Sequence, residues 1–158
     1  MLNKIRQILI FLLSINLFIG CGYKAVNKSN GSYNIIEVIG SGETRINYKI
    51  KNQILFGSSK QSSNLFKLNI NTKKQKRIRD TNIKNEITSY TLTISTQVSY
   101  SGIGETIKGN FTINQSGNYE VSSQRINTLN NEKLLTETLT NNIIEKIKSE
   151  LNNIVNDN

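Results

Sequence analysis

Apolar and polar positions alternate with a period of two through the middle of the chain, which predicts β-strands. The clearest alternation runs from Glu86 to Ser101, where Thr and Ser fill most positions on one face. The apolar residues of this stretch share the other face: Tyr90, Leu92, Ile94, Val98 and Tyr100. A second alternation begins at Leu65–Ile70 and is expected to continue through Ile78, and a third covers Ile107–Gln115.

Turn-forming residues separate these predicted strands. Asp80–Asn85 and Gly102–Gly104 are expected to reverse the chain, so the three strands should form an antiparallel meander. Ser116-Gly117-Asn118 is expected to end the third strand, with Tyr119–Val121 as a further short strand after it.

A short β-branched run, Tyr33–Ile39, predicts a buried first strand that ends in a turn at Gly40-Ser41-Gly42. The apolar period then lengthens to between three and four, which predicts a helix over Glu43–Phe56. Isoleucines form the apolar stripe of this helix: Ile46, Ile50 and Ile54. Ser41 is expected to cap the helix and Gly57 to end it.

A longer helical repeat, about Asn130–Val155, occupies the C-terminal part of the chain. Leucine and isoleucine recur along it every three or four residues: Leu135, Leu139, Ile143, Ile147, Leu151 and Ile154. The order β-α-β-β-β-α predicts an α+β fold, a two-layer sandwich with two helices packed on one face of a mostly antiparallel sheet. We therefore expect residues 33–158 to form a single α+β domain.

The N-terminal residues follow a different pattern. A basic start precedes an apolar run, Ile8–Ile19, which is followed by a glycine and the only cysteine of the chain, Cys21. This order is typical of a secretory signal peptide, and the run is shorter than the ~17–25 residues of a membrane-spanning helix. Phe18-Ile19-Gly20-Cys21 resembles the lipobox of bacterial lipoproteins, in which the cysteine carries a diacylglycerol, although Phe18 stands where the box usually has Leu.

We therefore predict a lipoprotein signal peptide over residues 1–20, and a lipidated Cys21 followed by a flexible tether over residues 21–32. The alternative is an ordinary signal peptide with an incidental cysteine. That cysteine would be an unpaired thiol near a new terminus, which is unusual in an exported protein.

Composition narrows the class of function. The formal net charge is +9, which favours anionic partners; in an exported domain these are lipid phosphates, lipopolysaccharide or acidic polymers, and no nucleic acid is expected. The chain has no histidine, its one thiol is assigned to lipid, and no Asp/Glu cluster has metal-ligand spacing. We therefore expect no enzyme activity, no metal and no cofactor.

Cations are concentrated in one predicted strand. If the strand that starts at Leu65 continues, a period of two places four of its basic residues on the face opposite its apolar residues. The candidate anion-binding or lipopolysaccharide-binding residues are Lys67, Lys73, Arg77 and Arg79. The alternative is a solvated strand edge that lysines protect from unwanted pairing.

Taken together, these features resemble the lipopolysaccharide-assembly lipoprotein family, LptE. The resemblance rests on the order of elements, on Cys21-Gly22-Tyr23, on Asn85–Tyr90 leading into the long strand, and on Leu134–Glu137 leading into Asn142–Ile147. It implies a protein lipid-anchored at the periplasmic face of the outer membrane. It also implies a place as plug and assembly partner inside a β-barrel translocon, LptD, with binding of lipopolysaccharide and no catalytic residues.

Two other functions are alternatives to this one. One is a pilotin or chaperone-like accessory lipoprotein of another envelope machine, which only its partner would distinguish. The other is an envelope hydrolase of unusual chemistry, which would need a cleft with paired carboxylates.

Overall fold

Four strands and two helices follow one another in the predicted order. The computed structural model describes residues 32–103 and 107–157, so the predicted signal peptide and Cys21 lie outside the described residues. The elements are β1 (Asn34–Gly42), α1 (Thr44–Gly57), β2 (Leu65–Thr81), β3 (Ile87–Gly102), β4 (Lys108–Glu120) and α2 (Arg125–Asn156). The α+β class is confirmed.

The strands form one mixed sheet in the order β1-β2-β3-β4. β1 and β2 are parallel because α1 carries the chain back to the end at which β1 began. β2, β3 and β4 are joined by short connections and pair antiparallel, which confirms the predicted meander. The longest pairing, between β2 and β3, runs from Phe66 opposite Gly102 to Thr81 opposite Ile87.

Both helices cover one face of this sheet, and the core lies between the two layers. The apolar residues that the sequence placed on inward faces are buried in it. They include Ile46, Ile50 and Ile54 of α1, Phe66, Leu68 and Ile70 of β2, Leu92, Ile94 and Val98 of β3, and Leu139, Ile143, Ile147 and Leu151 of α2. Tyr90 and Tyr100 pack against this core, as predicted.

The predicted turn at Ser116-Gly117-Asn118 is wrong. These residues lie inside β4, which continues without interruption to Glu120 and includes the start of the supposed extra strand, Tyr119–Val121. Gly117 has a packing role instead, because a Cβ placed on it would lie 2.7 Å from Cδ1 of Leu135 on α2. The glycine allows the helix to approach the strand closely.

The start of α1 also differs from the prediction. Gly40-Ser41-Gly42 is the last part of β1, not a turn, and Glu43 precedes the helix without making a side-chain cap. The Ser41 hydroxyl donates to the Ile70 carbonyl at 3.5 Å, across the β1–β2 pair, so it does not cap the helix. Gly42 has φ +85°, and a Cβ there would overlap the carbonyl oxygen of Thr72.

α2 begins at Arg125, five residues before the predicted start. The first turns of α2 carry Ile126 and Leu129, and both side chains are mostly exposed. These turns therefore lack the buried apolar stripe from which the helix was predicted. No helix among residues 32–103 and 107–157 is long and apolar enough to cross a membrane.

Candidate functional site

The face of the sheet opposite the helices, here called the open face, is polar over most of β2, β3 and β4, whereas β1 exposes Ile39 on it. On β3 it consists of hydroxyl and amide side chains: Thr91, Thr93, Ser95, Gln97, Ser99 and Ser101. Neighbouring strands continue this surface, since the Thr91 hydroxyl donates to Asn118 Oδ1 at 2.8 Å and the Thr93 and Ser116 hydroxyls lie 3.0 Å apart. The β3 and β4 part of the open face therefore needs no apolar cover and offers many hydrogen-bonding groups.

Of the four cations predicted for this face, Lys67, Lys73 and Arg77 are exposed on it, opposite Ser101, Ser95 and Thr91 of β3. Arg79 lies at an irregularity where the register shifts between Ile78 and Asp80. The predicted residues thus extend along the strand and do not form one cluster: Lys67 and Arg77 are ten residues, or roughly 33 Å, apart.

Two of the four cations have acidic partners. Lys67 Nζ lies 3.4 Å from Glu37 Oε2, and Arg79 Nε lies 3.3 Å from Asp80 Oδ2. Both pairs are about half exposed, so each contributes little stability, but each partly neutralises its cation.

Lys73 and Arg77 differ from these two. Within the part of the chain that the structure describes, neither makes an ion pair or a hydrogen bond to a side chain. They project from the open face about 13 Å apart, with Gln75 between them on the same face. This pair is the part of the predicted ridge with charge available for a ligand.

Lys73 and Arg77 belong to a stretch of β2, Lys73–Arg79, that extends past the end of β1 and is here called the basic arm. β1 pairs with β2 only as far as Gly42 opposite Thr72. Beyond that point β2 pairs with β3 on one side alone.

The other two lysines of the basic arm point to the helix side. Lys74 Nζ donates to Glu132 Oε1 at 2.7 Å, and Lys76 Nζ donates to Glu132 Oε2 at 3.1 Å. The Tyr119 hydroxyl also donates to Glu132 Oε2, at 2.8 Å. Lys76 Nζ lies 4.8 Å from the ring centroid of Tyr90, which stacks on Tyr119.

This cluster shifts the ionisation of its members. The hydrogen bond from Lys74, with those from Tyr119 and Lys76, lowers the pKa of the Glu132 carboxyl to about 2. Burial, followed by the hydrogen bond to Glu132, raises the pKa of Tyr119 to about 12. The hydrogen bond to Glu132 raises the pKa of Lys76. The cluster is therefore an ionised bridge between β2, β4 and α2.

Sequence reasoning missed this bridge although a signal for it existed. The alternation that places Lys73 and Arg77 on the open face places Lys74 and Lys76 on the helix face. A cation on a covered face needs an acidic partner, and Glu132 lies three residues before Leu135 of the core stripe of α2.

A groove of about 550 Å³ lies between α1 and α2 beside the basic arm. Its apolar and aromatic lining includes Ile46, Tyr48 and Leu129. Charged residues of both signs also line it: Arg45, Lys49, Lys74 and Lys133, with Glu43, Glu132 and Glu137. No group of three potential metal-ligating Cys, Asp or Glu side chains occurs among the described residues.

At the opposite end of the sheet, Ser32 is held where the chain enters the domain. Its backbone amide and hydroxyl donate to Asn152 Oδ1 at 3.3 and 3.0 Å. Its carbonyl accepts hydrogen bonds from the Ser62 hydroxyl at 2.7 Å and from Asn64 Nδ2 at 3.1 Å. Arg77 lies twelve residues along β2 from Leu65, about 40 Å from this end.

Several solved structures with a similar fold are of proteins named as bacterial lipoproteins. The structure superposes on the rare lipoprotein B of Shewanella oneidensis with a TM-score of 0.59 and 11% identity, over 76% of this chain and 97% of that one. A minor lipoprotein of Acinetobacter baumannii gives a TM-score of 0.52 and 10% identity, over 77% and 93% of the two chains. An uncharacterized lipoprotein B of Nitrosomonas europaea gives a TM-score of 0.50 and 11% identity, over 75% of this chain and 84% of that one.

These similarities show a shared fold. No family model matches the sequence, and no curated protein matches it.

Proposed function

We propose that the protein is a lipid-anchored envelope protein that plugs, and helps to assemble, a β-barrel lipopolysaccharide translocon of the LptD kind. It would act at the periplasmic face of the outer membrane and would bind lipopolysaccharide there. The observation that carries the proposal is the fold shared with rare lipoprotein B, combined with a polar open face that presents Lys73 and Arg77. The role is one of binding and assembly, with no catalytic step and no cofactor.

The open face suits a barrel interior. The lumen of a large outer-membrane barrel is polar, so a plug inside it needs a surface that is rich in hydrogen-bonding groups. The hydroxyl and amide side chains of β3 and β4 supply such a surface. The packed core behind them provides the rigidity that a plug requires.

Lys73 and Arg77 supply the anion preference. Lipopolysaccharide carries phosphate groups, and an arginine guanidinium can bind a phosphate through two parallel hydrogen bonds. Since neither side chain has an acidic partner among the described residues, no ion pair need be broken before phosphate binds. A strand holds the two cations at a fixed spacing, which lowers the entropy lost on binding.

The anchor and the basic arm would lie at opposite ends of the domain. Ser32 is eleven residues after Cys21 and is held beside Asn152 and Asn64. Acyl chains on Cys21 would supply membrane affinity, at about 0.8 kcal/mol per buried CH₂, without a contribution from the fold. The basic arm would then be directed away from the leaflet that holds the acyl chains, towards the barrel lumen.

Binding of purified lipopolysaccharide to the full chain in detergent tests this proposal. Lys73→Glu combined with Arg77→Glu should weaken binding at low salt by about tenfold or more, since two phosphate contacts become repulsive. Lys60→Glu combined with Lys108→Glu makes the same change in net charge at exposed positions outside the basic arm, and should leave binding near wild type. Equal loss in both double variants would show an effect of net charge alone and would contradict a site at Lys73 and Arg77.

A further inference from the structure

The outer edge of the basic arm is an unpaired strand edge. Gly42, with its positive φ, ends β1 opposite Thr72, and the chain then leaves the sheet to begin α1. β2 continues for nine residues beyond this point, Lys73–Thr81, with β3 alone as its neighbour. Within residues 32–103 and 107–157, no backbone hydrogen bond reaches the outer edge of this stretch.

The register identifies the backbone groups that this edge presents. The Thr72 carbonyl accepts a hydrogen bond from the Glu43 amide at 3.0 Å, so Thr72 directs its backbone groups away from β3. Because backbone direction alternates with a period of two, Lys74, Lys76 and Ile78 face the same way. The free edge therefore offers three N–H and three C=O groups in the arrangement that an added strand requires.

Side chains of both faces flank this edge. Lys73 and Arg77 project on the open face, where an added strand would place every second side chain beside them. The intervening side chains of that strand would lie on the helix face, where Lys74 lines the groove between α1 and α2. Ile46 and Leu129 give that groove apolar surface.

We propose that the edge of the basic arm receives an extended segment of a partner polypeptide by β-strand addition. The segment carries acidic residues at alternate positions, which face Lys73 and Arg77, and apolar residues between them, which face the groove. Main-chain hydrogen bonds to Lys74, Lys76 and Ile78 supply affinity, and the alternating side chains supply specificity.

The positive charges of Lys73 and Arg77 favour an acidic partner segment over a second copy of the chain. Two copies paired along this edge would place Lys73 and Arg77 of one beside the same cations of the other, which is repulsive. Lysine on an exposed edge is a common protection against unwanted pairing, and it protects against neutral or basic strands. A strand with acidic residues at the matching positions turns the same charges into attraction.

Peptide binding to the full chain in detergent, measured by calorimetry, tests the proposal independently of any barrel or lipopolysaccharide. The probe is a nine-residue peptide of alternating Glu and Val. We expect it to bind at least tenfold more tightly than a Lys/Val peptide of the same length. We also expect methylation of the peptide's alternate backbone amides to weaken its binding at least tenfold, because methylation removes the edge hydrogen bonds and keeps the charge.

Two variants of the protein separate edge pairing from simple charge attraction. Ile78→Pro removes one edge N–H without removing a bond to β3, and it should weaken peptide binding severalfold, whereas Ile78→Val should not. Lys73→Glu with Arg77→Glu should reverse the preference between the Glu/Val and Lys/Val peptides.

Binding that is unchanged by amide methylation, and unchanged in a folded Ile78→Pro variant, would overturn strand addition. Full displacement of the methylated peptide by lipopolysaccharide, with no effect of methylation on affinity, would show that the basic arm binds anions through its side chains alone.

Discussion

The Lys74 ammonium lies 2.7 Å from the Glu132 carboxylate, which joins the middle of β2 to the N-terminal half of α2. Both side chains are largely buried, at 25% and 20% exposed. The same carboxylate also accepts hydrogen bonds from Lys76 and Tyr119. One residue of α2 thus fixes the position of the helix over the part of the sheet from which the basic arm extends.

Replacement of Glu132 by Gln should destabilise the fold. The neutral amide cannot neutralise Lys74 and Lys76, so a largely buried cation loses its partner, at a cost of about 2–3 kcal/mol. The free energy of unfolding from urea denaturation measures this loss. Glu137→Gln on the same helix is the control, since Glu137 is exposed and makes no ion pair among the described residues; an equal loss in both variants would contradict the bridge.

Stability should also decrease in acid because of Glu132. Its pKa is about 2 in the fold and 4.5 as its ordinary value, so the unfolded chain binds a proton first as the pH falls. The stabilisation from Glu132 is therefore complete above about pH 4.5 and is lost as the pH approaches 2. Thermal unfolding of the wild type and of Glu132→Gln should converge over this window; a constant difference between them would contradict the lowered pKa.

Gly42→Ala should disrupt the junction between β1 and α1. Its φ of +85° is unfavourable for alanine, and the added Cβ would overlap the Thr72 carbonyl oxygen, so we expect a loss of about 2 kcal/mol or more. Gly57→Ala at the end of α1 is the matched control, because its Cβ would meet only Lys148 Cε, at 3.4 Å. Chemical denaturation should separate the two variants, and equal stabilities would exclude a special role for Gly42.

Cys21→Ala should release the mature domain from membranes or block its processing. The proposed function requires a membrane anchor, and acyl chains on Cys21 would supply it. Membrane fractionation measures the release, and mass spectrometry of the wild type detects the lipid on Cys21. A wild-type cysteine that carries no lipid would contradict the predicted anchor.

The alternation of apolar and polar side chains was enough to predict the β2–β3–β4 meander and the faces of its residues. In a strand with one buried face, the apolar side chains must recur every two residues. Glycine was misinterpreted twice, at Gly42 and Gly117. Both glycines allow close approach, to the Thr72 carbonyl and to the Leu135 side chain, and such contacts depend on a distant part of the chain. Local sequence shows a glycine but not the atom that it must accommodate.

The candidate site was only partly predictable for the same reason. Strand parity placed Lys73 and Arg77 on the open face correctly, whereas the register shift next to Arg79 could not be read from the local pattern. The length of the basic arm follows from where β1 stops pairing with β2, which is a property of the tertiary fold.

Affinity purification of the full chain from native outer membranes tests whether the protein is the plug of a β-barrel translocon. A large β-barrel protein should co-purify with the wild type under mild detergent. Recovery of the protein without any barrel, or with the components of a different envelope machine, would contradict the proposed role as plug and assembly partner of a lipopolysaccharide translocon.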